Sequence, residues 1–232
     1  EGHNLIATGS TEQLYNFLFD VTSQISWDYG AISSVISIVT GDHTLQSKMV
    51  QYDGMLRRLP AVDSFTNCYN QVDFVVCMRS IKRWLSRLTK ILPKPEGESS
   101  PGVLHRIIVL YDLAKTMGFD SLSIEHRELI KDVLKMASLG DKCHVIWLEP
   151  NIADYNVFNQ LEDLFDHRIV FECRPEDSKA LIHTDAGSML KGDECLYAST
   201  CTGQITKGSI PEVDFENYHM FIKLQNVFNS TN

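Results

Sequence analysis

Short runs of β-branched and aliphatic residues alternate along this chain with longer segments whose apolar residues recur every three or four positions. That alternation restricts the fold more than any other feature. His3–Thr8 (HNLIAT), Ala31–Thr40 (AISSVISIVT), Val103–Tyr111, Cys143–Leu148, Arg168–Cys173 and Glu194–Ala198 have the length and composition of strands. After Gly9-Ser10-Thr11 a helical period begins, with Leu14, Phe17, Leu18 and Val21 on one face. The strongest amphipathic pattern runs from Val72 to Leu92 through Val76, Cys77, Ile81, Trp84, Leu85, Leu88 and Ile91, and Pro93 ends it. Ile124–Leu139 is helical up to Gly140; Val157–Phe165 and Ser178–His183 read as shorter helical pieces. Leu56–Val62, interrupted by Pro60, reads as a loop or an edge piece. Gly203–Ile210 reads as a return hairpin, and Asp214 as the cap of a last helix to Val227. Strands this uniformly apolar need cover on both faces. The expectation is an α/β fold with a mostly parallel central sheet flanked by helices and a C-terminal hairpin.

The 232 residues fit a single domain without internal repeats. The Pro/Gly-rich stretch 93–102 (PKPEGESSPG) is followed at once by strand, so it is read as an exposed loop rather than a boundary. The first residue is Glu1, with neither an initiator Met nor a signal sequence, which leads us to expect a mature or excised piece of a larger protein. Lys and Arg total 21 against 30 Asp and Glu, a net charge of −9, and such a surface repels phosphate backbones. DNA is therefore not the expected partner. The longest apolar runs are far shorter than a bilayer span. The six cysteines contain no CxxC pair, which excludes a zinc ribbon and suggests free thiols in a reducing compartment. Arg79, Lys82, Arg83, Arg87 and Lys90 put five positive charges on the long helix. The plainer reading is a solvated face opposite the apolar one; the sharper reading is a stripe for nucleic acid, acidic lipid or a neighbouring module. Cys143 and His144, adjacent on a strand, point to opposite faces and form no dyad, and His144 is expected to satisfy backbone groups. Neither HExxH nor GxSxG occurs, so protease and esterase readings have no support.

A strand, a glycine-opened turn and a helix near the start of an α/β chain is the layout of a phosphate-binding loop. Its consensus is G-x-x-x-x-G-K-[ST]: backbone N–H groups surround phosphate, Lys neutralises it and the hydroxyl holds Mg²⁺. Laid on Gly9, the eight residues are Gly9-Ser10-Thr11-Glu12-Gln13-Leu14-Tyr15-Asn16. The first glycine survives; Leu14 replaces the second, Tyr15 the lysine and Asn16 the hydroxyl. Glu12 adds negative charge where a triphosphate would lie. About a hundred residues later the apolar run Ile107–Leu110 leads through Tyr111 to Asp112, the place of a Mg²⁺-orienting carboxylate, but Leu113 follows where a water-polarising Glu is needed. Gly9, Ser10, Thr11, Tyr15, Asn16 and Asp112 are thus read as a nucleotide-binding remnant, with no catalytic and no metal-ligating residue among them. Tyr15 is expected to fill the vacated cleft near Asp112 and leave it closed and dry.

The last third carries a more specific pattern. Leu139-Gly140-Asp141-Lys142-Cys143-His144-Val145-Ile146 resembles the "RAxGIHL" segment of FtsK/SpoIIIE-type motor domains. Arg168-Ile169-Val170-Phe171, Asp177-Ser178-Lys179 and the run Asp185–Tyr197 resemble that family's "RIxF…DSR…GAxxLLGxGDML" in order and spacing. Gly203-Gln204 and Gly208-Ser209-Ile210 are similar to its closing hairpin. Leu59–Phe65 (LPAVDSF) resembles the C-terminal modules of type VII secretion ATPases, whose distal domains are often degenerate. Leu139 stands where many relatives carry Arg, and Leu148-Glu149-Pro150 where translocases carry "ATQRP". The resemblance implies a RecA-like P-loop NTPase fold. It also implies a pseudo-ATPase module at the cytoplasmic face of the bacterial membrane, within a membrane-anchored protein, with neither ATP nor Mg²⁺ as cofactor. The partners it implies are secreted helical-hairpin (WxG-type) substrates, neighbouring ATPase modules and, in the full-length protein, a homo-hexamer. The alternative is an FtsK/SpoIIIE-like DNA-translocating motor module.

Overall fold

Strand β1 (His3–Thr8) takes a central place because it buries residues on both faces: Ile6 and Ala7 are buried, and the Asn4 side-chain N–H groups donate to the carbonyls of Leu134 and Leu164 at 3.0 and 2.9 Å. The computed structural model describes residues 3–41, 59, 61–88, 105–140 and 142–211. Around β1 the chain adds β2 (Ser34–Thr40), β3 (Val62–Asn67), β4 (His105–Tyr111), β5 (Cys143–Leu148), β6 (His167–Val170), β7 (Glu194–Ser199) and β8 (Ile205–Ser209). One sheet results, in the order β3-β2-β4-β5-β1-β6-β7-β8. The pairings are parallel from β3 through β6, and β7 and β8 close the sheet antiparallel. The expected architecture, hairpin included, is the one found.

Helix α1 (Thr11–Ser33) covers one face, burying Leu14, Tyr15, Phe17, Leu18 and Phe19 against Ile36, Ile107 and Val109. Helices α2 (Gln71–Leu88) and α4 (Ile124–Leu139) cover the other, where Phe74, Met78, Ile130 and Leu134 surround Trp147. Shorter helices α3 (Ala114–Met117), α5 (Asn156–Asn159) and α6 (Pro175–Ile182) fill the connections. Ser123 caps α4 by accepting from the His126 N–H at 3.2 Å, and Gly140 follows its last residue as the sequence predicts.

Several local readings change. Residues 31–33 end α1 rather than open β2, because helix propagation carries past Gly30. The segment after Pro60 pairs as the edge strand β3 despite its polar residues, since one neighbour, β2, suffices to hold an edge. The stretch 157–165 breaks into α5 and a 3₁₀ turn at Glu162–Leu164, and β6 ends at Val170. Val76 is exposed, because α2 turns Phe74, Val75 and Met78 inward instead. The loop 93–102 and the segment Asp214–Val227 lie outside the described residues. All six cysteines are free; Cys68, Cys143 and Cys195 are buried and Cys201 is exposed.

The basic stripe on α2 is partly neutralised within the fold. Arg79 pairs with Glu125 of α4 at 3.5 Å, and Lys82 pairs with Asp132. Arg83 and Arg87 remain exposed, and Lys90 lies outside the described residues. The stripe therefore reads largely as one side of a helix–helix contact.

Candidate functional site

In parallel α/β sheets ligands bind where strands end at their carboxyl edge and their connections diverge. Here α1 carries the chain from β1 over β5 and β4 to β2, while β6 connects onward to β7 on the other side. Gly9, at the end of β1, sits at that divergence. Only Gly9 and Ser10 separate β1 from α1. A phosphate loop needs several residues to arch around the anion, but here Thr11, Glu12, Gln13, Leu14, Tyr15 and Asn16 are already helix. Ser10 and Gln13 form a reciprocal capping box: the Gln13 N–H donates to Ser10 Oγ at 3.2 Å, and the Ser10 N–H donates to Gln13 Oε1 at 3.1 Å. The Glu12 carboxylate in the first turn complements the helix dipole, in the place an anionic ligand would take. Gln13 Nε2 also donates to the Gly192 carbonyl at 2.8 Å, tying the helix start to the turn before β7.

Gly9 is required by a close approach. A Cβ built on it meets Phe171 Cβ at 2.6 Å, an atom fixed to the backbone of the residue after β6. Gly9→Ala is expected to lower stability by roughly 1–3 kcal/mol, read as a reduced urea midpoint with an unchanged slope. Gly9 thus serves packing against Phe171.

Tyr15 is buried in the α1-side core, its ring tilted against Phe19 with centroids 4.6 Å apart. The Thr11 carbonyl accepts from the Tyr111 hydroxyl at 3.1 Å. The expectation of a closed, dry cleft is not met. An open groove of about 860 Å³ lies beside the turn, bounded by Ser10, Gln13, Asn16, Phe171, Ser188 and Pro211. Tyr15 turns into the core and leaves this side of the helix to small polar residues. Glu12, Glu172 and Asp193 add negative charge along the groove. Arg174, its one described cation, is held by Asp177 at 2.7 Å and Asp154 at 2.9 Å.

Asp112 follows β4 in the left-handed region, with φ 47°, a conformation Asp tolerates better than most residues. Its N–H donates to the Leu148 carbonyl at 2.9 Å, and Tyr111 pairs with Leu148, so Asp112 and Glu149 leave adjacent strands together. Glu149 is the residue that sequence reasoning passed over. Its Oε2 accepts from the N–H groups of Leu113 and Ala114 at 3.0 and 3.1 Å and from Trp147 Nε1 at 3.2 Å. The side chain is fully buried, and Oε1 has no hydrogen-bond partner among the described residues. Burial, then the nearby Asp112, pushes its carboxyl up to about 8, although the three N–H donors favour the charged form. Desolvation prevails, so at neutral pH the group is mostly protonated. It clamps the turn after β4 through the N–H groups of Leu113 and Ala114, while the Leu113 side chain is buried. The signal available beforehand was a carboxylate closing the apolar run of β5, noted only as a departure from a motif. Among the described residues no group of three or more His, Cys, Asp or Glu converges to hold a metal ion.

No family model matches this chain, and no curated protein matches it. Solved structures do. The cytoplasmic domain of the Thermomonospora curvata type VII secretion ATPase EccC superposes with a TM-score of 0.71 at 13% identity, over 96% of this chain and 28% of that one. Thermomonospora curvata EccC (ATPases 2 and 3), in complex with a signal sequence peptide, gives 0.59 at 12% identity, over 92% and 37%. The pCW3 conjugation coupling protein TcpA, with ATPγS, gives 0.61 at 14% identity, over 97% and 65%. The chain therefore spans about a quarter to two thirds of the length of these proteins. Among the described residues no helix is long and apolar enough to cross a membrane. Strand order, helical cover and closing hairpin together give this chain the RecA-like P-loop ATPase fold found in type VII secretion ATPases and in a conjugation coupling protein.

Proposed function

We propose that this chain is a degenerate ATPase module of a bacterial type VII secretion coupling protein, acting in substrate recognition and assembly rather than hydrolysis. The observation that carries the reading is the two-residue turn between β1 and α1, closed by the Ser10–Gln13 capping box where a phosphate loop would arch. Glu12, Glu172 and Asp193 around the groove, with Arg174 already paired, support it further, because a triphosphate would be repelled. In this reading neither ATP nor Mg²⁺ is a cofactor, and the module sits at the cytoplasmic face of the membrane within a homo-hexamer. Its partners are neighbouring ATPase modules and WxG-type helical-hairpin proteins. The signal sequence peptide bound to EccC is the ground for assigning peptide recognition here.

The rival reading, a DNA-translocating motor module, draws on the likeness to a conjugation coupling protein. The net charge of −9 and the pairing of Arg79 and Lys82 with α4 weigh against it. Fluorescence anisotropy with a labelled substrate-tail peptide and a labelled DNA duplex, each at about 50 and about 200 mM salt, separates the two. The secretion reading expects weak peptide binding that changes little with salt and no DNA signal. DNA contacts through several cations would instead lose orders of magnitude in affinity between those concentrations. Tight, salt-sensitive DNA binding with no peptide signal would overturn the assignment.

A further inference from the structure

The start of α2 brings two of the six cysteines together. Asn70 caps the helix, its Oδ1 accepting from the Asp73 N–H at 3.0 Å, and Asp73 Oδ2 accepts in turn from the Tyr69 N–H at 3.0 Å. One residue earlier the Cys68 N–H donates to the Thr40 carbonyl at 2.8 Å, which fixes Cys68 to the end of β2. Cys77 lies about two helical turns beyond the cap, on the same side of α2 as Asn70. Cys68 is fully buried and Cys77 is half-buried against the same core. The two thiols meet: the Cys68 S–H donates to the Cys77 sulfur.

That contact makes the two sulfurs unequal. The hydrogen bond from Cys68 holds the Cys77 thiol below its ordinary range in spite of burial. The same bond, burial and the charges of Cys77 and Asp73 raise Cys68. Cys77 therefore ionises first, while Cys68 keeps its proton. Burial pushes Cys143, Cys173 and Cys195 up instead. A thiolate is the nucleophilic form of cysteine, and a half-buried one is open to a small oxidant. An ionised, reachable thiol beside a second thiol is the arrangement that oxidants convert to a disulfide.

We propose that Cys77 and Cys68 form a peroxide-oxidised dithiol site, with Cys77 as the attacking sulfur and Cys68 as the resolving one. The Cys77 thiolate attacks one oxygen of hydrogen peroxide; an S–O bond forms as the O–O bond breaks, and the departing hydroxide takes a proton from solvent and leaves as water. Cys77 is then a sulfenic acid. The Cys68 sulfur attacks the Cys77 sulfur, the S–S bond forms as the S–O bond breaks, and the released hydroxide carries off the Cys68 proton as a second water. Each sulfur gives up one electron, and the peroxide takes up two. A dithiol reductant reverses the bond by exchange and becomes a disulfide itself. The proposal is independent of the secretion reading, since it involves neither the Gly9 groove nor a protein partner.

The tryptic fragment 59–79 contains Cys68 and Cys77 and no other cysteine, so mass spectrometry reads the site directly. The full chain is treated at about pH 7 with a small molar excess of hydrogen peroxide, quenched with an alkylating reagent and digested. The fragment should be lighter by two hydrogens and carry no alkyl group, then take up two alkyl groups after reduction. It should form roughly fivefold or more faster than the exposed Cys201 is oxidised. In concentrated urea, which separates the two thiols, that advantage should disappear. Cys68→Ser should stop the reaction at the sulfenic acid, trapped as a dimedone adduct on Cys77, and Cys77→Ser should leave Cys68 reduced. If either variant folds poorly, the unaltered chain still decides. Both thiols open to alkylation once Cys201 is oxidised, Cys77 running on to sulfinic acid beside a reduced Cys68, or equal rates with and without urea would each overturn the proposal.

Discussion

Raising the pH from about 6.5 to about 8.5 lowers the stability of this protein, and Glu149→Gln removes most of that loss. The fully buried carboxyl of Glu149 has its pKa pushed up to about 8 from the ordinary 4.5 by burial and by Asp112. An acid whose folded pKa lies above its unfolded one contributes stability that is complete below 4.5 and disappears as pH climbs through about 8. The slope is roughly 1.4 kcal/mol per pH unit, so on the order of 2 kcal/mol is lost between about pH 6.5 and 8. His144 acts with the opposite sign, its effect falling between about 4 and 6.5, so it does not mask the loss above that range. The substituted side chain need not carry charge: in Glu149→Gln the amide carbonyl oxygen still accepts the N–H groups of Leu113, Ala114 and Trp147. Urea unfolding at the two pH values checks this. The unaltered chain should lose stability and Glu149→Gln should be nearly flat; a flat or rising profile in the unaltered chain would contradict the assignment of a neutral Glu149.

Restoring the missing side chains should not restore the chemistry. Tyr15→Lys with Asn16→Ser places the consensus residue types at the consensus spacing from Gly9, yet both positions lie inside α1. Position 15 faces the core against Phe19, so the new ammonium would be buried among apolar side chains. Losing a well-packed ring and burying a charge in apolar surroundings typically costs several kcal/mol. The expected result is a marked drop in melting temperature and no ATP turnover. Turnover above background in the double variant would mean that residue identity, rather than the short turn, is what the site lacks.

The architecture was legible because its signals are local and repeated. Cys143–Leu148 and Ile124–Leu139 are found at the residues their apolar patterns predict, and Gly140 ends the helix between them. The antiparallel closing hairpin was legible too, from the turn residues before Ile205. Edge strand β3 was harder, since Val62–Asn67 alternates weakly and its partner is distant in sequence. The candidate site was only half legible. Gly9 and Asp112 fall where the motif put them, at the carboxyl ends of β1 and β4. That Tyr15 turns to the core while Asn16 faces an open groove depends on the helical phase of α1, which the motif alignment ignored. Glu149 was invisible as a clamp because its three donors come from two strand ends separated by more than thirty residues. The closeness of His105 and His144, whose ring nitrogens are 3.3 Å apart, has the same origin, since they become neighbours only through the pairing of β4 with β5.

Calorimetric titration of the unaltered chain with Mg-ATP tests the loss of nucleotide chemistry most directly. A phosphate loop supplies several charge-assisted hydrogen bonds, worth about 1.5–3 kcal/mol each. In this chain the helix start is instead occupied by Ser10, Gln13 and the Glu12 carboxylate. No saturable heat is expected at micromolar to high-micromolar nucleotide, and no phosphate release over hours. A one-to-one isotherm with a micromolar constant would contradict it.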